Sequence, residues 1–169
     1  MYQLLDTKKT VELYLVRQGW FSREYELTDN ACSYGQIKYP LFSRRKAIAI
    51  TATDRWAFKK DGIFSRAILI TGQNGEVIGR ATRGLFSRRT VVTMQDGFQV
   101  GFYRPSIWVK EYIWESGVHG KIMHINSNPF SLMDLVWIDQ SIEPAALIPL
   151  LTFLGSYLII LRRRRKAVH

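Results

Sequence analysis

The sequence predicts a mainly β domain: a single closed barrel of about twelve antiparallel strands around one apolar C-terminal α-helix. Three observations lead there. Short stretches of alternating apolar and polar residues recur between residues 11 and 138, separated by turn dipeptides. A Phe-Ser-Arg motif returns at Phe21, Phe42, Phe64 and Phe86, with spacings of 21, 22 and 22 residues. The segment 144–161 holds no charged residue.

The repeat sets the scale of the strands. A period of about 22 residues accommodates two strands of five to eight residues and two turns. Alternation is clear in Val11-Glu12-Leu13-Tyr14-Leu15-Val16, in Ala47-Ile48-Ala49-Ile50-Thr51, in Phe98-Gln99-Val100-Gly101-Phe102 and in Glu111-Tyr112-Ile113-Trp114. Asp61-Gly62, Asn74-Gly75 and Asp96-Gly97 are dipeptides suited to positive φ, and Asp29-Asn30 marks a further turn. Strands are therefore expected near 11–17, 22–28, 34–40, 46–53, 55–60, 64–71, 76–82, 89–95, 98–104, 109–115, 120–126 and 132–138. Phe130-Ser131 falls 44 residues after Phe86, and the slot between them, near Ser106-Ile107-Trp108, is degenerate.

The segment 144–161 is apolar all round, so it must be buried in protein or in lipid. Pro144 and Pro149 fit only near a helix start. Eighteen residues span roughly 27 Å, short of the ~30 Å hydrocarbon layer. The basic run after it, Arg162 to Lys166, favours the cytoplasmic side and would leave the body of the chain outside. The preferred expectation is a helix threaded through the barrel, with 1–161 as one domain and 162–169 as a basic tail. A membrane anchor is the alternative.

Bulk properties narrow the function classes. The 169 residues carry 24 Lys+Arg against 14 Asp+Glu, a net charge of +10 that favours anionic lipid, nucleic acid or another acidic surface as partner. Cys32 has no second cysteine to pair with, and the first nine residues lack the order of a signal peptide. A cytoplasmic, possible membrane-associated location is expected. His119, His124 and His169 have no zinc-site spacing, and no nucleophile motif or phosphate loop can be placed. Glu24, Glu26, Glu111 and Glu115 fit exposed strand faces. No enzyme activity, metal or cofactor is expected.

Several stretches carry a resemblance. Residues 21–27 (Phe-Ser-Arg-Glu-Tyr-Glu-Leu), 56–62 (Trp-Ala-Phe-Lys-Lys-Asp-Gly) and 70–79 (Ile-Thr-Gly-Gln-Asn-Gly-Glu-Val-Ile-Gly), with Asp96-Gly97 and the terminal helix, resemble the tubby-like superfamily. That group includes the LURP-one-related proteins, the phospholipid scramblases and the tubby C-terminal domain. The likeness covers roughly residues 10–161. It implies a twelve-stranded barrel around a hydrophobic helix, membrane-associated roles and, in tubby itself, phosphoinositide binding. Scramblases carry an acidic calcium-binding stretch before the helix. Asp134, Asp139 and Glu143 do not match its spacing, so only the fold is carried over.

In an up-and-down meander two strands bring the chain back to the same end. Arg23, Arg44, Arg45, Arg66, Arg88 and Arg89 are therefore expected to ring one mouth, and the repeated Phe to plug the barrel beneath it. With Arg162, Arg163, Arg164, Arg165 and Lys166 of the tail, this ring predicts peripheral association with anionic phospholipid. A single-pass membrane protein with a soluble β domain and a nucleic-acid-binding module are the alternatives. No protein partner is indicated.

Overall fold

The structure, a computed structural model, describes residues 1–42 and 45–168. Twelve strands follow one another along the chain: β1 (Glu12–Arg17), β2 (Glu24–Thr28), β3 (Ser33–Lys38), β4 (Lys46–Thr51), β5 (Arg55–Lys60), β6 (Ile68–Thr71), β7 (Val77–Arg83), β8 (Thr90–Met94), β9 (Gln99–Tyr103), β10 (Glu111–Ser116), β11 (Gly120–Asn126) and β12 (Met133–Ile138). Every strand pairs antiparallel with its sequence neighbours. β1 closes on β12 with Leu13 opposite Val136 and Leu15 opposite Asp134, so the sheet is a barrel without edges.

The period-two alternation has a plain cause: one face of each strand looks into the barrel. Leu13 and Leu15 of β1, Ala47 and Ala49 of β4, Phe58 of β5, Ile70 of β6, Phe102 of β9, Trp114 of β10 and Val136 of β12 are all buried there. A twelve-stranded barrel is too wide for these side chains to fill alone. The C-terminal helix α1 (Leu147–Val168) occupies the remaining space, and its residues from Ile148 to Ile159 are buried on every face. This settles the status of the apolar segment. It lies inside the barrel, and among the described residues no helix is long and apolar enough to cross a membrane.

Helix and wall are matched in size. α1 runs nearest β4 and β5, and β4 offers it only the methyl groups of Ala47 and Ala49. On the other side the wall is bulky and the helix is bare: a Cβ on Gly155 would stand 2.7 Å from Ile125 Cδ1 and 3.0 Å from Trp114 Nε1. Tyr157 fits between Tyr39 and Phe58 and donates its hydroxyl to the Arg45 carbonyl at 2.5 Å.

Both ends of α1 differ from expectation. It begins at Leu147 instead of 144, with Pro149 in the first turn, where no amide donor is needed. It continues through the basic run to Val168 instead of stopping at Leu161. Nothing there breaks it, since Arg and Lys are good helix formers. Arg165 and Lys166 also stand in the last turn, where the helix dipole favours positive charge.

The odd-numbered strands run toward the mouth from which the basic end of α1 emerges, and the even-numbered strands run away from it. Six connections therefore meet at this exit rim: residues 18–23, 39–45, 61–67, 84–89, 104–110 and 127–132. The connections at the opposite rim are hairpin turns, with Gly75 and Gly97 at positive φ, together with the segment leading into α1.

Candidate functional site at the exit rim

The exit rim is built from one device used repeatedly. In residues 19–22, 84–87 and 128–131 a backbone bond from the serine amide to the carbonyl three residues earlier (3.1, 3.3 and 3.0 Å) closes a β-turn. A fourth turn is closed by Val109 N to Ser106 O at 3.3 Å. The serine hydroxyl then accepts the amide two residues on: Ser22 from Glu24 (3.1 Å), Ser65 from Ala67 (3.0 Å), Ser87 from Arg89 (3.1 Å) and Ser131 from Met133 (3.1 Å). Arginines at the ends of the incoming strands clamp these loops from below. Arg17 Nε donates to Ser22 O at 2.8 Å, Arg83 Nε to Ser87 O at 2.7 Å, and Arg104 Nη2 to Ile107 O at 2.9 Å.

What these turns hold out is apolar. Their tips are Trp20-Phe21, Leu41-Phe42, Ile63-Phe64, Leu85-Phe86, Ile107-Trp108 and Pro129-Phe130. Phe21 is 98% exposed, Phe42 100%, Phe64 98%, Phe86 100%, Trp108 88% and Phe130 85%. The expectation that the repeated Phe plugs the barrel is therefore wrong. α1 already fills the space beneath the mouth, and the serine turns direct Phe21, Phe64, Phe86 and Phe130 outward. The slot that looked degenerate is also filled, by Trp108, which keeps the 22-residue period from Phe86 to Phe130.

The basic residues separate into three groups. Arg23, Arg45, Arg66 and Arg88 are exposed at the exit rim, as the period predicts, and Arg44 lies outside the described residues. Arg89 departs from the ring. One residue later in the chain it turns onto the outer wall, lies across Gly101, stacks on Tyr103 and pairs with Glu115 at 3.2 Å. The third group is the end of α1, which is not a free tail. Arg162 donates to Thr90 Oγ1 at 3.3 Å and covers the rings of Phe102 and Tyr112. Arg163 donates to Ser127 Oγ at 2.7 Å, and Arg164 lies over Tyr39. These three half-buried side chains seal the mouth with their aliphatic stems, while Arg165 and Lys166 remain exposed.

Charge is sharply divided along the barrel axis. Besides the residues above, the exit rim carries Lys60, Arg104 and Lys110, with Asp61 as the acidic residue of its connections. The opposite rim has Asp29, Asp54, Glu76, Asp96, Asp139 and Glu143 in its connections, against Lys8 and Lys9 of the N-terminal segment and Arg55 at the start of β5. Inside the exit mouth, burial pushes the Asp134 carboxyl up, opposed by Ser127 and Arg163. Burial pushes the Arg162 guanidinium down, and Arg83, Arg165 and Arg104 add like-charge repulsion. Lys60 is lowered by burial, then by Arg165 and Arg45. Among the described residues, no group of three or more His, Cys, Asp or Glu is placed to hold a metal ion.

Sequence reasoning missed the clamping arginines Arg17, Arg83 and Arg104, and the apolar tips themselves. The available signal was position: each tip falls outside an alternating run, inside a turn.

No family model matches the chain, and no curated protein does. Among solved structures, an X-ray structure of a protein from Arabidopsis thaliana matches with a TM-score of 0.60 at 11% identity, over 94% of this chain and 99% of the other. At that identity the likeness is one of fold.

Proposed function

We propose that this chain is a tubby-like barrel of the LURP-one-related kind, and that it works as a non-catalytic module docking rim-first on membranes containing anionic phospholipid. The observation that carries the reading is the crown: six connections at one end each hold out a large apolar tip, with the exposed Arg23, Arg45, Arg66 and Arg88 between them. Turn tips are ordinarily polar, and an exposed apolar cluster rimmed by charge marks an interaction surface. Aromatic tips suit the lipid interface, and the arginines beside them suit its phosphates. The acidic opposite rim gives the molecule an axial charge asymmetry that turns the crown toward an anionic surface.

Two energies act together. Each tip gains up to about 1.5–3 kcal/mol if fully withdrawn from water. Each basic residue near an anionic leaflet adds ~1 kcal/mol. The apolar part is insensitive to salt, whereas the electrostatic part decays over ~8 Å at physiological ionic strength. In vesicle sedimentation the protein is expected to pellet with phosphatidylcholine/phosphatidylserine vesicles at least tenfold better than with phosphatidylcholine alone. Added salt should weaken this binding while leaving a residue carried by the tips. Equal retention on both vesicle types at all salt concentrations contradicts the electrostatic part. No retention on either, with salt-sensitive binding to a single-stranded oligonucleotide, contradicts the lipid reading and favours stacking of bases on the crown.

A further inference from the structure

We infer that the exit rim contains a discrete pocket for a phosphate group carrying more than one negative charge, lined by Lys60, Arg66, Arg83, Arg162 and Arg165. The inference deepens the docking reading and rests on it for the orientation of the pocket. A cavity of about 450 Å³ lies between the connections 61–67 and 84–89, beside the emerging helix. That volume is within the ~300–1,000 Å³ range of small-ligand sites. It opens because β6 is only four residues long and starts at Ile68, which lowers the wall there. Leu158, Leu161 and Ile68 contribute apolar lining from the helix and the wall, and Phe64 and Leu85 line it from the crown.

The chemistry of the lining is one-sided. Five cationic side chains face the cavity and no carboxylate does. None of the five is ion-paired among the described residues, whereas Lys38, Arg80 and Arg89 elsewhere on the barrel each have an acidic partner. Among the described residues Arg83 has its Nε engaged by the Ser87 carbonyl, which leaves its terminal nitrogens as donors. Like charges gathered in a partly desolvated cleft repel one another, and a polyanion relieves that repulsion more fully than a single negative charge does. Several guanidinium forks with one ammonium are the donor set that recognises phosphate. The ligand is therefore a phosphomonoester or pyrophosphate group, borne either by a lipid headgroup or by a soluble metabolite.

Calorimetric titration of the full chain with inorganic pyrophosphate tests the pocket. Saturable binding is expected. It should weaken by about tenfold or more in K60Q/R66Q/R165Q and stay within about twofold in R23Q/R88Q/K110Q, which removes equal charge from the rim outside the cavity. R66Q alone changes an exposed side chain and guards against a folding defect in the triple variant. Retention on vesicles containing phosphatidate, compared with phosphatidylserine, identifies the source. A phosphatidate preference that pyrophosphate competes away assigns a headgroup; saturable pyrophosphate binding without such competition assigns a soluble phosphate. Absence of saturable pyrophosphate binding, or equal loss in both triple variants, overturns the pocket. Intact vesicle binding in that case leaves rim-first docking standing, whereas loss of all vesicle binding removes the docking reading separately.

Discussion

A chain ending at Ala146 is expected to lose cooperative folding altogether. The truncation removes Ile148, Leu150, Leu151, Phe153, Leu154, Tyr157, Leu158, Ile159 and Leu161, all buried against the inner wall. At ~1.5–3 kcal/mol each their burial contributes roughly 15–25 kcal/mol, more than the ~5–15 kcal/mol net stability of a whole domain. The strands cannot compensate by collapsing, because a twelve-stranded circumference with Ala47 and Ala49 on one side leaves a void along the axis. Loss of near-ultraviolet circular dichroism and of a sigmoidal urea transition is the expected readout. A truncated chain that unfolds cooperatively contradicts the account of the core.

The opposite pattern is expected at the crown. Replacing Phe21, Phe64, Phe86 and Trp108 together by Ser should leave the melting temperature within a few degrees, since these side chains are almost fully exposed. The same variant should bind anionic vesicles about a hundredfold more weakly or worse, from the loss of roughly 1 kcal/mol or more of interfacial burial at each tip. An equally apolar change in the core, such as Phe58→Ala, should reverse the two results. It should cost about 3–5 kcal/mol of stability and leave rim-mediated binding intact below its melting temperature. Urea titration and vesicle sedimentation on the same preparations separate the cases. A crown variant that binds as well as the parent protein removes the tips from the interface.

The fold was legible because one constraint acts on every strand. Residues such as Leu13 and Leu15 must face the axis while Glu12 and Tyr14 face outward, so the alternation is continuous and the strand limits fall within a few residues of those expected. The apolar segment was equally plain, and its shortness against a bilayer pointed to the interior of the barrel. The helix end was not legible, because the run from Arg162 looks like a solvated stop. Only the mouth of the barrel shows that the stems of Arg162 and Arg164 lie over Tyr112, Phe102 and Tyr39. At the rim, the period located Arg23, Arg66 and Arg88. It hid the direction of the Phe beside them, because apolar residues were assigned to the interior by composition. The slot at Trp108 looks degenerate for a related reason: what repeats is an apolar pair at a turn, and not the letters Phe-Ser-Arg. Arg89 shows the limit of periodic reasoning, since a single residue step moves a side chain from the mouth to the outer wall and onto Glu115.

The central claim is that one rim, and not the other, meets the membrane. A solvatochromic probe tests it most directly, attached at Phe86→Cys on the exit rim or at Asn74→Cys on the opposite rim, with Cys32→Ser in both. On adding phosphatidylcholine/phosphatidylserine vesicles, the probe at 86 should shift to the blue and be quenched by a lipid-borne quencher, while the probe at 74 stays as in water. A shift at 74 with none at 86, or equal shifts at both positions, contradicts rim-first docking.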